Sequence, residues 1–243
     1  MRKTLNVWVL HKKWSATHYG VQMKKYTAIW MVIVISFAVM GCNAPQANHT
    51  IQVPPTTQPL VLFQDDFSDT SGSWYSMETD EGLTDYFNEG YRILVNRNDY
   101  YLWSIPKGQL FTDVRIEVDA SKIGGPDFNE IGVICRYKDS DNFYFFTISS
   151  DGYYSVSKFI DGNEQWIGMD EPQLDDVNIH TGEATNQLEV VCNQGTLSLS
   201  VNGKHLIDVT DGDLSEGNVG LIAGTWDTPG TDILFDNFKV LKP

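Results

Sequence analysis

From Leu60 to the end, the sequence predicts an all-β domain folded as a two-layered antiparallel sandwich, and three observations predict it. This stretch is a succession of short runs rich in β-branched and aromatic residues, none of which sustains an apolar helical stripe for three turns. Turn signals of the Asp-Gly and Asn-Gly kind punctuate the runs. Within residues 114–121, Val114, Ile116, Val118 and Ala120 alternate with Arg115, Glu117, Asp119 and Ser121, the pattern of a strand with one buried and one wet face.

The expected strands, in order, are 60–64, 91–95, 100–104, 112–121, 130–137, 143–149, 153–160, 165–169, 187–192, 196–201, 204–209, 219–224 and 233–240. The first is a short apolar run ending at Gln64; the second and third, YRILV and YYLWS, are aromatic and aliphatic. The polar stretch between the first and the second, with Glu78-Thr79-Asp80-Glu81 and Gly82, reads as a loop. Residues 131–137 are apolar apart from the charge of Arg136. Asp151-Gly152, Asp161-Gly162, Gln194-Gly195 and Asn202-Gly203 supply the positive φ of tight hairpins. The last is the strongest, since Leu197, Leu199 and Val201 alternate before it and Leu206 follows. So many strands exceed what one open twisted sheet carries, so they are expected to pack as two layers. No repeat of fixed period is present.

The segment before the domain predicts where the protein resides. Lys24-Lys25, the 15 uncharged residues 26–40 and Val39-Met40-Gly41-Cys42 form a basic region, an apolar region and a lipobox. Secretory signals carry an apolar core of roughly 7–15 residues, whereas about 20 are needed to span a bilayer. Residues 1–41 are therefore expected to be a lipoprotein signal peptide, with Met23 the expected start and Cys42 the lipidation site. Residues 42–59, uncharged and rich in Pro, Thr, Asn and Gln, form a semi-extended tether. The expected location is extracytoplasmic, on a membrane held through the lipid anchor only.

Charge excludes some partners. The formal net charge is −15, but residues 1–41 hold six of the 17 Lys and Arg and no acidic residue, so the mature chain sets 11 cations against 32 anions, a net −21. Affinity for nucleic acid rests on Lys and Arg neutralising phosphate, so nucleic acid is not an expected partner. A monomer is expected.

Several pieces together, in their order and spacing, resemble a known family. They are Phe63-Gln64-Asp65-Asp66-Phe67-Ser68-Asp69 with Trp74, Gly132-Val133-Ile134-Cys135-Arg136-Tyr137, Asn142-Phe143-Tyr144-Phe145, Ser150-Asp151-Gly152-Tyr153, Val201-Asn202-Gly203, Gly217-Asn218-Val219-Gly220-Leu221 and Phe235-Asp236-Asn237-Phe238. Residues 60–243 are thereby similar to the concanavalin A-like, laminin G-like jelly-roll domains of bacterial surface proteins, a group that takes in domains labelled 3-keto-disaccharide hydrolases. The resemblance implies two curved antiparallel sheets whose concave face, in many relatives, binds or cleaves glycans.

No catalytic motif accompanies it. Laminarinase-like glycosidases of this fold place nucleophile and acid on one strand as Glu-x-Asp-x-(x)-Glu, because alternate side chains share a face. Here Glu78-Thr79-Asp80-Glu81 has the wrong spacing, and Glu117-Val118-Asp119 is followed on its face by Ser121. His180 and His205 lie in no nucleophile or metal motif.

Sugar binding needs flat aromatic faces with hydrogen-bonding groups at their edges. Tyr101, Trp103, Tyr144, Trp166 and Trp226 are the candidate rings, and Arg136, a charge inside an apolar run, is the candidate donor; core packing is the alternative for the rings and pairing with an inner carboxylate the alternative for Arg136. Asp65 and Asp66 near the first strand and Asp236 on the last leave a structural Ca2+ open as cofactor, with Asp139, Asp141 and Asn142 as a second acidic turn. Cys135 and Cys192 share parity with apolar neighbours and would meet as a disulfide in the core, with two buried thiols as the alternative. The expected function is thus glycan or polysaccharide binding without catalysis. Alternatives are a glycoside hydrolase with unrecognised carboxylates and a protein-binding adhesion or scaffold module.

Overall fold

A computed structural model of the protein describes residues 59–243; the signal segment, Cys42 and the tether through residue 58 lie outside the described residues. The described chain holds sixteen strands and no helix. They are β1 (Val61–Asp65), β2 (Met77–Thr79), β3 (Gly82–Phe87), β4 (Gly90–Val95), β5 (Tyr100–Ser104), β6 (Val114–Gly124), β7 (Asn129–Asp139), β8 (Asn142–Ile148), β9 (Tyr153–Ile160), β10 (Asn163–Trp166), β11 (Gln173–Leu174), β12 (Thr185–Asn193), β13 (Thr196–Val201), β14 (Lys204–Thr210), β15 (Asn218–Thr225) and β16 (Thr231–Leu241). The first sheet runs β14-β13-β12-β6-β16-β4-β3-β2, with β1 also on β16; the second runs β10-β9-β8-β7-β15-β5, with β11 on β9. Every pairing is antiparallel, and the crossovers β12-β6, β6-β16 and β7-β15 are the long returns of a jelly roll.

The alternation expected in β6 is what buries its face: Val114, Ile116, Val118 and Ala120 are at most 1% exposed. They meet Val133, Cys135, Phe146, Leu221 and Ala223 of the second sheet in one core. Each fully buried aliphatic or aromatic side chain of this kind contributes roughly 1.5–3 kcal/mol relative to exposure. Asp161-Gly162 and Asn202-Gly203 form two-residue hairpins with both residues at positive φ, 50° and 74° for the first and 52° and 75° for the second.

Two elements differ from expectation. Residues 77–87, read as a loop, form the hairpin β2–β3, whose Thr84 hydroxyl donates to the Tyr75 carbonyl at 3.0 Å. The turn that joins β3 to β4 is Asn88-Glu89, both at positive φ (49° and 60°) although neither is Gly. The strand expected at 165–169 ends at Trp166, and the chain then crosses to β11.

Cys135 of β7 and Cys192 of β12 are bonded, with Cα atoms 6.8 Å apart, and tie the two sheets through the core.

Candidate functional site

The second sheet has two apolar faces. Ile131, Val133 and Cys135 of β7 point into the core, so Glu130, Gly132 and Ile134 point away from it. The register then places Phe145 and Thr147 of β8, Ser155 and Ser157 of β9, Ile222 and Gly224 of β15, and Tyr101 and Trp103 of β5 on that same outer side. Ile134, Phe143, Phe145 and Ile222 are fully buried there, beneath Tyr101, Trp103, Ile105, Tyr137 and Phe159.

This face is concave. β5 and β10 are opposite edges of six strands, about 24 Å apart if the sheet were flat. Yet the Tyr101 hydroxyl of β5 donates to Glu164 Oε1 of β10 at 3.3 Å, and the Tyr101 ring packs edge-on against Phe145 at 5.6 Å. A tyrosine and a glutamate span that gap only because the sheet curls around them. Gly224 makes the crossing fit, since a Cβ there would lie 2.8 Å from the Tyr101 ring.

Under Tyr101 the face is acidic. Glu130 is 7% exposed, and its Oε2 has no hydrogen-bond partner among the described residues; neither has the buried Ser157 hydroxyl on the same face. Burial, reinforced by the Glu164 carboxylate, pushes the Glu130 carboxyl up to about 8, so it is protonated at neutral pH. Burial and the same two carboxylates raise Tyr101 well above the usual phenol value.

The trough is flanked by two aromatic features. Beside β5, a cleft of about 390 Å³ is lined by Tyr75, Met77, Trp103, Pro106, Lys107 and Tyr137, with Lys107 Nζ 4.2 Å above the Tyr75 ring. Phe128 and Trp226 stack at 5.4 Å and 17°, one residue before β7 and one after β15; Phe128 is 47% exposed.

The candidate residues thus divide. Tyr101 and Trp103 lie on the outer face, Trp226 flanks it, and Trp166 is half-buried on β10. Tyr144 does not join them: it is buried in the core, its hydroxyl 2.5 Å from Asp211 Oδ1, and burial followed by that carboxylate pushes it up to about 12.

Arg136 is also corrected. Parity with Ile134 would turn it outward, but it takes φ 53° at a break in the β7–β8 register, which sends the guanidinium inward. There it is 2% exposed and donates to the carbonyls of Leu214 at 2.7 Å, Gln194 at 2.6 Å and Thr112 at 3.4 Å, with Asp113 3.6 Å away. Arg136→Met is expected to cost at least about 3 kcal/mol, because three carbonyls lose their donor. Chemical denaturation reads it, and a loss under about 1 kcal/mol would show that water replaces the guanidinium without penalty.

Among the described residues no group of three or more His, Cys, Asp or Glu could hold a metal ion, and Asp65 and Asp66 line a pocket together with Asn237. Asp65 accepts from the Phe67 amide, Asp66 from Ser68 and Asp236 from the Asn237 amide, while Asp139 is occupied by Asp141 and Asn142. Each carboxylate accepts a hydrogen bond from its own neighbours.

Sequence reasoning missed Glu130, Glu164 and Phe128. Glu130 carried the signal used for Arg136, a charge at the start of an apolar run; Glu164 carried none, because only the curl of the sheet brings β10 near β7.

No protein-family model and no curated protein sequence matches the chain. Its fold matches solved structures at low identity. A carbohydrate-binding module, CBM66 from Bacillus subtilis, superposes with a TM-score of 0.56 at 19% identity over 70% of this chain and 96% of the module. A β-glucanase of Bacillus licheniformis gives 0.54 at 8% identity, covering 74% and 98%. The exoplasmic domain of VIP36, solved with Ca2+ and Man3GlcNAc, gives 0.51 at 16%, covering 70% and 83%. Residues 59–243 therefore have the concanavalin A-like jelly-roll fold.

Proposed function

We propose that the domain binds glycan on the concave outer face of its second sheet, without cleaving it. The observation that carries this reading is the set of part-exposed rings on a face turned away from the core, Tyr101, Trp103, Tyr137 and Phe159 over the buried Phe143 and Phe145, flanked by an aromatic cleft and a stacked pair whose Phe128 is exposed. Rings cover the C–H side of a pyranose, and the Lys107 ammonium and the carboxylates beside them supply polar edges. The carbohydrate-binding module, the Man3GlcNAc-bound VIP36 domain and the β-glucanase of the same fold support the ligand class.

Calorimetric titration of the protein with a panel of oligosaccharides tests it. Trp103→Ala is expected to weaken binding at least tenfold while the melting temperature changes little, since the ring is part-exposed and lines the cleft, tilted against Phe143 at 5.5 Å. A variant that melts far lower, or binds as before, removes Trp103 from the site.

Hydrolysis is the second reading, and one observation favours it: Glu130, protonated at neutral pH, shares the face with Glu164. Release of new reducing ends from a bound oligosaccharide would replace binding by catalysis.

The lipobox supports anchoring. The mature protein begins at acylated Cys42, and Cys42→Ala is expected to leave the precursor uncleaved and unlipidated. Mass spectrometry of fractionated cells reads this; an unmodified chain starting at another residue would end the lipoprotein assignment.

A further inference from the structure

We propose that the concave face selects glycans that carry a protonated amine, an amino-sugar unit resting on the Phe128–Trp226 pair with its ammonium directed at Glu130 and Glu164. The inference rests on the glycan-binding reading and names the class of sugar.

Three observations carry it. Glu130 is more than nine-tenths buried, and its Oε2 is unpartnered among the described residues. A buried carboxylate beside a second carboxylate is stable only with a proton or a cation on it, and a ligand ammonium is a cation that also supplies the missing hydrogen bond. The flat aromatic surface lies at the matching distance. Phe128 precedes β7 by one residue and Glu130 by two, which keeps the two Cα atoms within about 7 Å of each other, roughly the reach from a stacked pyranose to a ring substituent. The third is the field: 11 cations against 32 anions after Cys42 attract a polycationic glycan and repel an acidic one.

Neighbouring groups agree. The titratable side chains that act on Glu130 are Glu164 from β10 and the Tyr101 hydroxyl from β5; no Lys or Arg figures among the influences on its carboxyl. Exchange of proton for ammonium also predicts that binding near neutral pH releases a proton, because Glu130 must ionise to receive the cation.

Calorimetry on the full chain at pH 6 and 7, with a glucosamine tetramer, its N-acetylated counterpart and cellotetraose, provides the test. The glucosamine tetramer should bind at least tenfold tighter than the other two, with proton release at pH 7 revealed by buffers of different ionisation enthalpy. Glu130→Gln should erase that preference and the proton release, and Phe128→Ala, at an exposed position, should weaken the tetramer without lowering the melting temperature.

Equal or tighter binding of the acetylated or neutral oligomer, lost in Trp103→Ala, would overturn the amine preference and leave the glycan reading standing. Glucosamine binding indifferent to both Glu130→Gln and Phe128→Ala would be general attraction to an acidic surface, and would overturn the site. Silence of all three oligomers would overturn both readings.

Discussion

Raising the pH from about 5 to 8 is expected to destabilise the protein by several kcal/mol, and Glu130→Gln is expected to remove most of that slope. In the unfolded chain this carboxyl ionises near its ordinary 4.5, while in the fold burial and Glu164 hold it protonated to about 8. Between those values the native state binds one proton more than the unfolded state. Stability therefore falls by roughly 1 kcal/mol per pH unit, is fully present below pH 4.5 and is lost as the pH rises through about 8. The Asp66, Asp69 and Asp211 carboxyls are shifted the opposite way, below 3.8, so their contributions change at more acidic pH and do not mask the effect. Urea denaturation at pH 5, 6.5 and 8 measures it. Wild type and Glu130→Gln falling in parallel would show that another group sets the slope.

That two acids meet on the outer face was not legible from local pattern. A search for two carboxylates on one strand finds none that fit, because this pair is split between β7 and β10, strands separated in the sheet by β8 and β9. Their approach depends on a curvature set by the whole sheet, with Gly224 admitting the Tyr101 ring. Arg136 failed for a narrower reason: period-2 parity holds only while the register holds, and a single residue at φ 53° inverts it. The β3–β4 hairpin was missed because Asn88-Glu89 adopts positive φ without the glycine that marks such turns. Where the pattern was strict, as in β6 and at Asn202-Gly203, local chemistry and tertiary structure agree, and the two-layer architecture followed from strand number alone.

Parity also brought the two cysteines together, and their bond carries the second large effect. Replacing both with Ala is expected to cost about 4 kcal/mol by the chain-entropy model, since the cross-link joins residues 57 apart in sequence. Its position adds to that loss. Arg136 follows Cys135 directly, and Gln194, whose carbonyl it holds at 2.6 Å, lies two residues beyond Cys192. The covalent bond and the guanidinium therefore clamp the same two strands at the same end, and each fixes the geometry the other needs. Contacts this close are not additive: in a double-mutant cycle, Arg136→Met should cost less in the Cys135→Ala, Cys192→Ala background than in the wild type, by about 1 kcal/mol. Denaturation curves of the four proteins decide it, with alkylation of the unreduced, denatured protein confirming that neither Cys135 nor Cys192 is free. Additive costs would mean that the clamp at Gln194 stands without the bond, and a labelled Cys135 would remove the bond from the native fold.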